Sequence, residues 1–228
     1  MLFEDTEQKD PGSFFHMGAN KLPEFKAAPE LEKLFELSVD AYYAAIYAWL
    51  SELPITEEIS RFIEKVGKAK DRVAAARISS DRGDPDVLTV VTTAYKVQHE
   101  IHRLIGFLRF NPALNGVYIA RCSPDYFILP AMAEHFFLRF GETPWAIIDE
   151  KRKLMIYCEE GGEVWLKPVS SDDILLSSGK AAEKSNNDSW VELWRLYHQS
   201  VNNEARKNLQ LQRQFIPERY RNYLPEMR

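Results

Sequence analysis

Cysteine is nearly missing from this 228-residue chain: only Cys122 and Cys158 occur, which is too few for a disulfide framework. Neither sits in a CxxC or Cys/His spacing suited to zinc, so both are expected to be strand thiols in a reducing compartment, the cytoplasm. Long apolar runs are lacking too. Nothing approaches the roughly 20 residues of a membrane span, and the opening M-L-F-E-D-T-E-Q-K-D has neither the basic nor the apolar region of a signal peptide. Positive charge is not in excess, because 29 Lys and Arg face 34 Asp and Glu for a net charge of -5. A nucleic-acid site, if there is one, must therefore be local rather than a property of the whole surface. Absent as well are a P-loop, a GxGxxG turn and an iron-sulfur cysteine set, so no cofactor is expected.

What is present reads as an α+β protein. Residues 1–30 carry scattered prolines and glycines among Phe14, Phe15 and Phe25, and are expected to form an irregular arm. Residues 31–228 are expected to form a single α+β domain, with a helical part over 31–110 and a sheet part over 116–168. A loop over 169–188 and a C-terminal helix with a basic tail over 189–228 complete the expectation. In the helical part Leu31, Leu34 and Phe35 and then Tyr42, Tyr43, Ile46 and Tyr47 recur at helical spacing, with Pro54 ending the second series. Thr56 is expected to cap a third helix with Ile59, Phe62, Ile63 and Val66 on its buried stripe. Lys65, Lys68, Lys70, Arg72, Arg77 and Arg82 read as a solvated basic surface.

Asp84-Pro85-Asp86 then opens a long helix: a cap, a proline at the first position, and an acid near the positive end of the dipole. Val87, Val90, Ala94, Val97, Ile101, Leu104 and Leu108 trace its apolar face. The polar residues of H-E-I-H-R-L-I-G-F-L-R-F, His99 to Phe110, fall on two ridges. Lys96, His99 and Arg103 share one, and His102, Gly106 and Arg109 share the other, with Gly106 thinning the helix for a close approach. Histidine with arginine on one ridge suits an anion. HEIH is not HExxH, so the zinc-protease geometry is absent and no metal is expected here.

A strand over 117–122, a helix with Met132, Phe136 and Phe140 on one face and Gly141 as its stop, and three strands at 145–149, 154–158 and 163–167 follow. Together they predict an antiparallel β-α-β-β-β unit with the N-terminal helical part packed on it. His135 and Arg139 point the same way, one turn apart. The last helix is expected to start at Asp188-Ser189. From Arg195 to Arg228 seven basic residues stand against three acidic, and arginine forks among tyrosine rings suit phosphate contact and base stacking.

Five separated segments, in order, resemble one family: E-x-H-R-x-x-G-F-x-R-F (Glu100 to Phe110), Tyr118 and Ala120 with Pro124-Asp125, I-L-P-x-x-A-x-H-F-x-x-R-F (Ile128 to Phe140), I-x-D-x-x-R (Ile147, Asp149, Arg152), and the ending from Arg206-Lys207-Asn208 to Arg219-Tyr220. Over residues 40 to 226 the chain resembles an uncharacterised bacterial family assigned to DNA metabolism or repair. Residues 1–30 depart from that family's opening. The resemblance implies a place in DNA repair beside a radical-SAM DNA repair protein, or a uracil-DNA glycosylase-like protein to which a similar domain is fused. It implies no known reaction.

Three functions are compatible with these residues. In the first, an accessory protein binds nucleic acid or a repair enzyme, with Arg103, Arg109, His135, Arg139, Arg206, Lys207, Arg213, Arg219 and Tyr220 meeting phosphates or bases. In the second, a nucleic-acid-processing enzyme uses His102 or His135 as general acid or base with Asp125 or Asp149 as the carboxylate partner. The third is a protein-protein scaffold that docks through 169–188 and the tail.

Overall fold

The computed structural model of the chain describes residues 29–113, 116–159, 162–170, 193, 196–197, 200, 210 and 214–224. Residues 1–28 of the expected arm, the start of the last helix and most of the 169–188 loop therefore lie outside the described residues, while Pro29 and Glu30 already belong to the first helix. The chain divides into two compact units, Met1–His102 with Asp125–Ala131, and Arg103–Pro124 with Met132–Arg228.

The first unit is helical. Its elements are α1 (Pro29–Leu37), α2 (Val39–Leu50), α3 (Thr56–Gly67), α4 (Arg72–Ser79) and most of α5 (Pro85–Phe107). Ser38 separates α1 from α2: its backbone is extended and its hydroxyl accepts from the Ala41 N–H at 3.2 Å, which satisfies one orphan donor of the new helix. At the other end of α2 the Ser51 hydroxyl donates to the Ala48 carbonyl at 2.5 Å, and Glu52 turns the chain in a left-handed conformation. The helix has therefore ended before Pro54 is reached. Thr56 is the first residue of α3 rather than its cap; Ile55 holds the cap position with no side-chain bond. Helix α4 falls within the stretch expected to be a plain solvated surface, and Asp71, accepting from the Ala74 N–H at 2.7 Å, is its cap. Leu34, Phe62, Val66, Ala75, Val90 and Val97 have no solvent exposure and form the core of this unit.

Two ion-paired cations from α3 hold the start of α5. Arg61 Nη2 lies 2.9 Å from Asp86, and Lys65 Nζ bridges Asp84 at 2.5 Å and Asp86 at 2.7 Å. Arg61 first and then Lys65 hold the Asp86 carboxyl down at about 2.

The second unit is built on a five-stranded sheet: β1 (Asn111–Pro112), β2 (Tyr118–Cys122), β3 (Trp145–Asp149), β4 (Leu154–Cys158) and β5 (Val164–Pro168), in that spatial order. The α+β class is as expected, but the sheet is mixed rather than antiparallel: β2 pairs with β3 in parallel, from Tyr118 opposite Trp145 to Cys122 opposite Asp149. Helix α6 (Leu129–Phe140) is the reason, since a strand-helix-strand connection carries the chain back to the end at which the first strand began and so aligns the two strands. The remaining joins are antiparallel. All five residues of β3 are buried. Gly141 ends α6 at φ +59°, its N–H donating to the Phe137 carbonyl at 3.0 Å, as the stop signal predicts. Phe110, Phe136, Phe140 and Trp145 form one aromatic cluster with ring separations of 4.7 to 6.4 Å. Near the end of the chain, α7 (Glu218–Arg221) buries Tyr220 against Phe107 at 5.6 Å.

Candidate functional site

In the second unit three segments carrying predicted phosphate ligands meet through their aromatic neighbours. Phe110, next to Arg109, packs on Phe136 and Phe140, which flank His135 and Arg139 in α6. Phe107 packs on Tyr220, next to Arg219. The three segments are thus tied by two groups of ring contacts, an aromatic seam with arginine or histidine at the adjoining positions.

The predicted ligands differ in exposure. His135 and Arg139 are exposed, one turn apart, on α6. The His135 ring stands edge-on to Phe136 at 5.0 Å, and burial, aided by the positive charge of Arg139, holds its pKa below the usual histidine value. A neutral imidazole there offers one donor and one acceptor at pH 7. Arg109 is half-buried and caps α5, its Nη1 donating to the Gly106 carbonyl at 2.8 Å and the Leu108 carbonyl at 3.3 Å. Arg219 is half-buried over the Tyr220 ring at 4.7 Å. Arg103 is half-buried on α5. Tyr220 is only 1% exposed, so its ring is a packing element and offers no face to a base. Arg206, Lys207 and Arg213 lie outside the described residues. Among the described residues nothing approaches Gly106: a Cβ added there meets nothing within 4 Å.

The acid-base candidates form no hydrogen-bonded histidine-carboxylate pair among the described residues. Asp149 has no exposure; its carboxylate takes the Arg152 guanidinium at 2.9 Å and the N–H groups of Lys151 at 2.9 Å and Arg152 at 3.2 Å. It holds a turn, and Arg152 in turn donates to the Pro124 carbonyl at 3.2 Å. Asp125 is exposed, and its N–H donates to Glu100. His102 is exposed on α5. Among the described residues neither His102 nor His135 makes a hydrogen bond to a carboxylate. No group of three or more His, Cys, Asp or Glu converges as metal ligands would, again among the described residues.

Two polar constructions were not foreseen. Glu100, 4% exposed, accepts from the N–H of Asp125 at 2.9 Å and of Tyr126 at 3.0 Å, fastening the segment after β2 onto α5. At the ends of β2 and β3, Arg121 pairs with Glu150 at 3.2 Å while the Tyr223 hydroxyl donates to Glu150 at 2.6 Å. Burial first, and then that bond, raise the Tyr223 pKa well above its ordinary value. The only signal for Asp149 was the three-residue offset to Arg152; nothing local in sequence points to the partners of Glu100 and Glu150, which lie 25 and 73 residues away. A depression of about 400 Å³ in the first unit is lined by Trp49, Glu52, Leu53, Thr56, Ile59 and Phe127, which supply one carboxylate and no base.

The family model described as a domain of unknown function, DUF4130, matches residues 56–226. No curated protein matches the chain, and no solved structure does.

Proposed function

The chain belongs to the DUF4130 family, whose model covers most of its length, and from the motif resemblance and the site's residues we propose that it is a nucleic-acid-binding accessory protein of DNA metabolism. One observation carries the reading: in the second unit the segments bearing Arg109, His135 with Arg139, and Arg219 are tied together by two aromatic contacts, Phe107 with Tyr220 and Phe110 with Phe136 and Phe140, so three arginines sit beside one aromatic seam in a chain that is acidic overall. Local positive charge of this kind meets phosphates and fixes register on a nucleic acid, while specificity comes from elsewhere. The setting is a DNA-repair complex in the cytoplasm, beside a radical-SAM protein or a uracil-DNA glycosylase-like protein that supplies the chemistry.

Fluorescence anisotropy with labelled 20-nucleotide single strands and duplexes, titrated across a salt series, tests this. Binding at low salt is expected, with log affinity falling by about 0.7 to 0.9 per log unit of salt for each phosphate neutralised. Arg139→Ala should weaken binding and lower the slope by about one such contact. No binding at low salt, or an unchanged slope in a doubly substituted Arg139→Ala, Arg219→Ala protein, would overturn the proposal.

A further inference from the structure

The solvent face of α5 within the first unit has an unusual composition. Leu88, Thr92, Tyr95, His99 and His102 repeat at alternating steps of four and three residues, so they form one stripe, and all five are exposed. Lys96 and Gln98 flank it and are exposed as well. The stripe is about 21 Å long at 1.5 Å per residue. Tyr95 keeps 67% of its surface in solvent although its ring stacks on His99, with centroids 6.1 Å apart and planes 25° from parallel. Every titratable side chain exposed between Leu88 and His102 is tyrosine, lysine or histidine.

The two carboxylates of α5 are both withdrawn from this face. Asp86 is 7% exposed and engaged by Arg61 and Lys65; Glu100 is 4% exposed and engaged by two backbone N–H groups. Lys96, by contrast, has no acidic partner among the described residues. A protein with five more acidic than basic groups thus presents a helix face free of negative charge, with a stacked ring pair at its centre and a cation beside it.

Resting on the reading that the protein binds nucleic acid, we infer that Tyr95 and His99 form a stacking platform for an unpaired base of a single strand, with Lys96 contacting the adjoining phosphate. The chemistry decides the class of ligand. Ring faces exposed on a convex helix can stack on a base only if that base is unpaired, because a duplex keeps its base faces covered. The absence of carboxylates along the face removes repulsion of the backbone that must run past it. A protein partner would find the Tyr95 and His99 rings and Leu88 here but no continuous apolar rim, since Thr92, Lys96, Gln98 and His102 flank the rings. The platform is separate from the seam of the second unit, which would contact phosphates of either single or double strands.

Anisotropy with labelled oligo(dT) and oligo(rU) 20-mers and a 20-base-pair duplex, on the full chain, separates the two. Tyr95→Ala should weaken single-strand binding about 5- to 150-fold, the loss of one stacked base, and leave duplex binding within about twofold. Tyr95→Phe, which keeps the ring, should restore binding to within about twofold, whereas a purely structural effect would not follow the ring. The DNA and RNA arms show which strand is preferred. Tyr95→Ala binding single strands as tightly as wild type, or Tyr95→Phe losing as much as Tyr95→Ala, overturns the platform and leaves the seam untouched if Arg139→Ala still weakens binding. Failure of the wild-type protein to bind any of the three overturns both.

Discussion

Removing the Glu100 carboxylate should cost more than any other single polar change in the first unit. Glu100 sits on α5 with 4% exposure and takes one hydrogen bond on each oxygen, from the Asp125 and Tyr126 N–H groups, at 2.9 and 3.0 Å. A hydrogen bond to a charged group contributes about 1.5 to 3 kcal/mol, so Glu100→Ala forfeits about 3 to 6 kcal/mol if both amides stay dry. The lower end is expected, because Asp125 is exposed and a small opening of the segment lets water replace the lost acceptors. Glu100→Gln retains one acceptor but turns an amide NH2 toward the second N–H, and should cost about half as much. Urea denaturation of the three proteins gives the free energies, and hydrogen exchange at the Asp125 and Tyr126 amides reports the clamp directly. Stability within about 1 kcal/mol of wild type in Glu100→Ala, with exchange at both amides unchanged, would refute the reasoning.

Asp86 makes stability dependent on acid. Its folded-state pKa is held at about 2 by Arg61 and Lys65, below the unfolded value of about 3.9, so its contribution is complete above pH 4 and is lost as pH falls toward 2. Asp84 is shifted in the same direction by Lys65. The urea midpoint measured from pH 5 to pH 2 should drop, and Asp86→Asn should flatten that drop; parallel curves would show that the pair does not act this way. Gly106→Ala should raise stability by about 0.5 to 1 kcal/mol, since Gly106 lies in the last turn of α5 with open space around it and gains only helix propensity. Thermal denaturation decides this, and a lower midpoint would mean that the glycine is needed.

The long helix was legible because its signals are local: Asp84, Pro85 and Asp86 mark its start, and the Val87, Val90, Ala94, Val97 stripe marks its buried face. Helix α4 was hidden by its basic residues, although Asp71 ahead of Arg72-Val73-Ala74-Ala75-Ala76 carries a cap signal of the same kind. The parallel join of β2 and β3 was missed because strand periodicity carries no direction; only the intervening α6 does. At the candidate site, sequence spacing placed His135 beside Arg139 correctly within α6, but could not tell that Tyr220 turns inward onto Phe107. Nor could it separate the two roles of carboxylates in α5. Asp86 read only as an acid at the start of the helix and Glu100 only as part of a motif, and it is their burial that leaves the outer stripe without negative charge.

The sheet register also fixes the chemistry of the two thiols. Cys122 in β2 stands beside Asp149, at one end of β3, and Cys158 in β4 stands beside Trp145, at the other. Four residues along the strand and two strand spacings across put their Cα atoms about 16 Å apart, where a disulfide needs about 4.4 to 6.8 Å. Both side chains are buried, and burial followed by the neighbouring Glu159 pushes the Cys158 thiol pKa up, away from the reactive thiolate. The native fold therefore cannot close a Cys122–Cys158 bridge whatever the redox state of its surroundings, and the two thiols form no redox latch across the sheet.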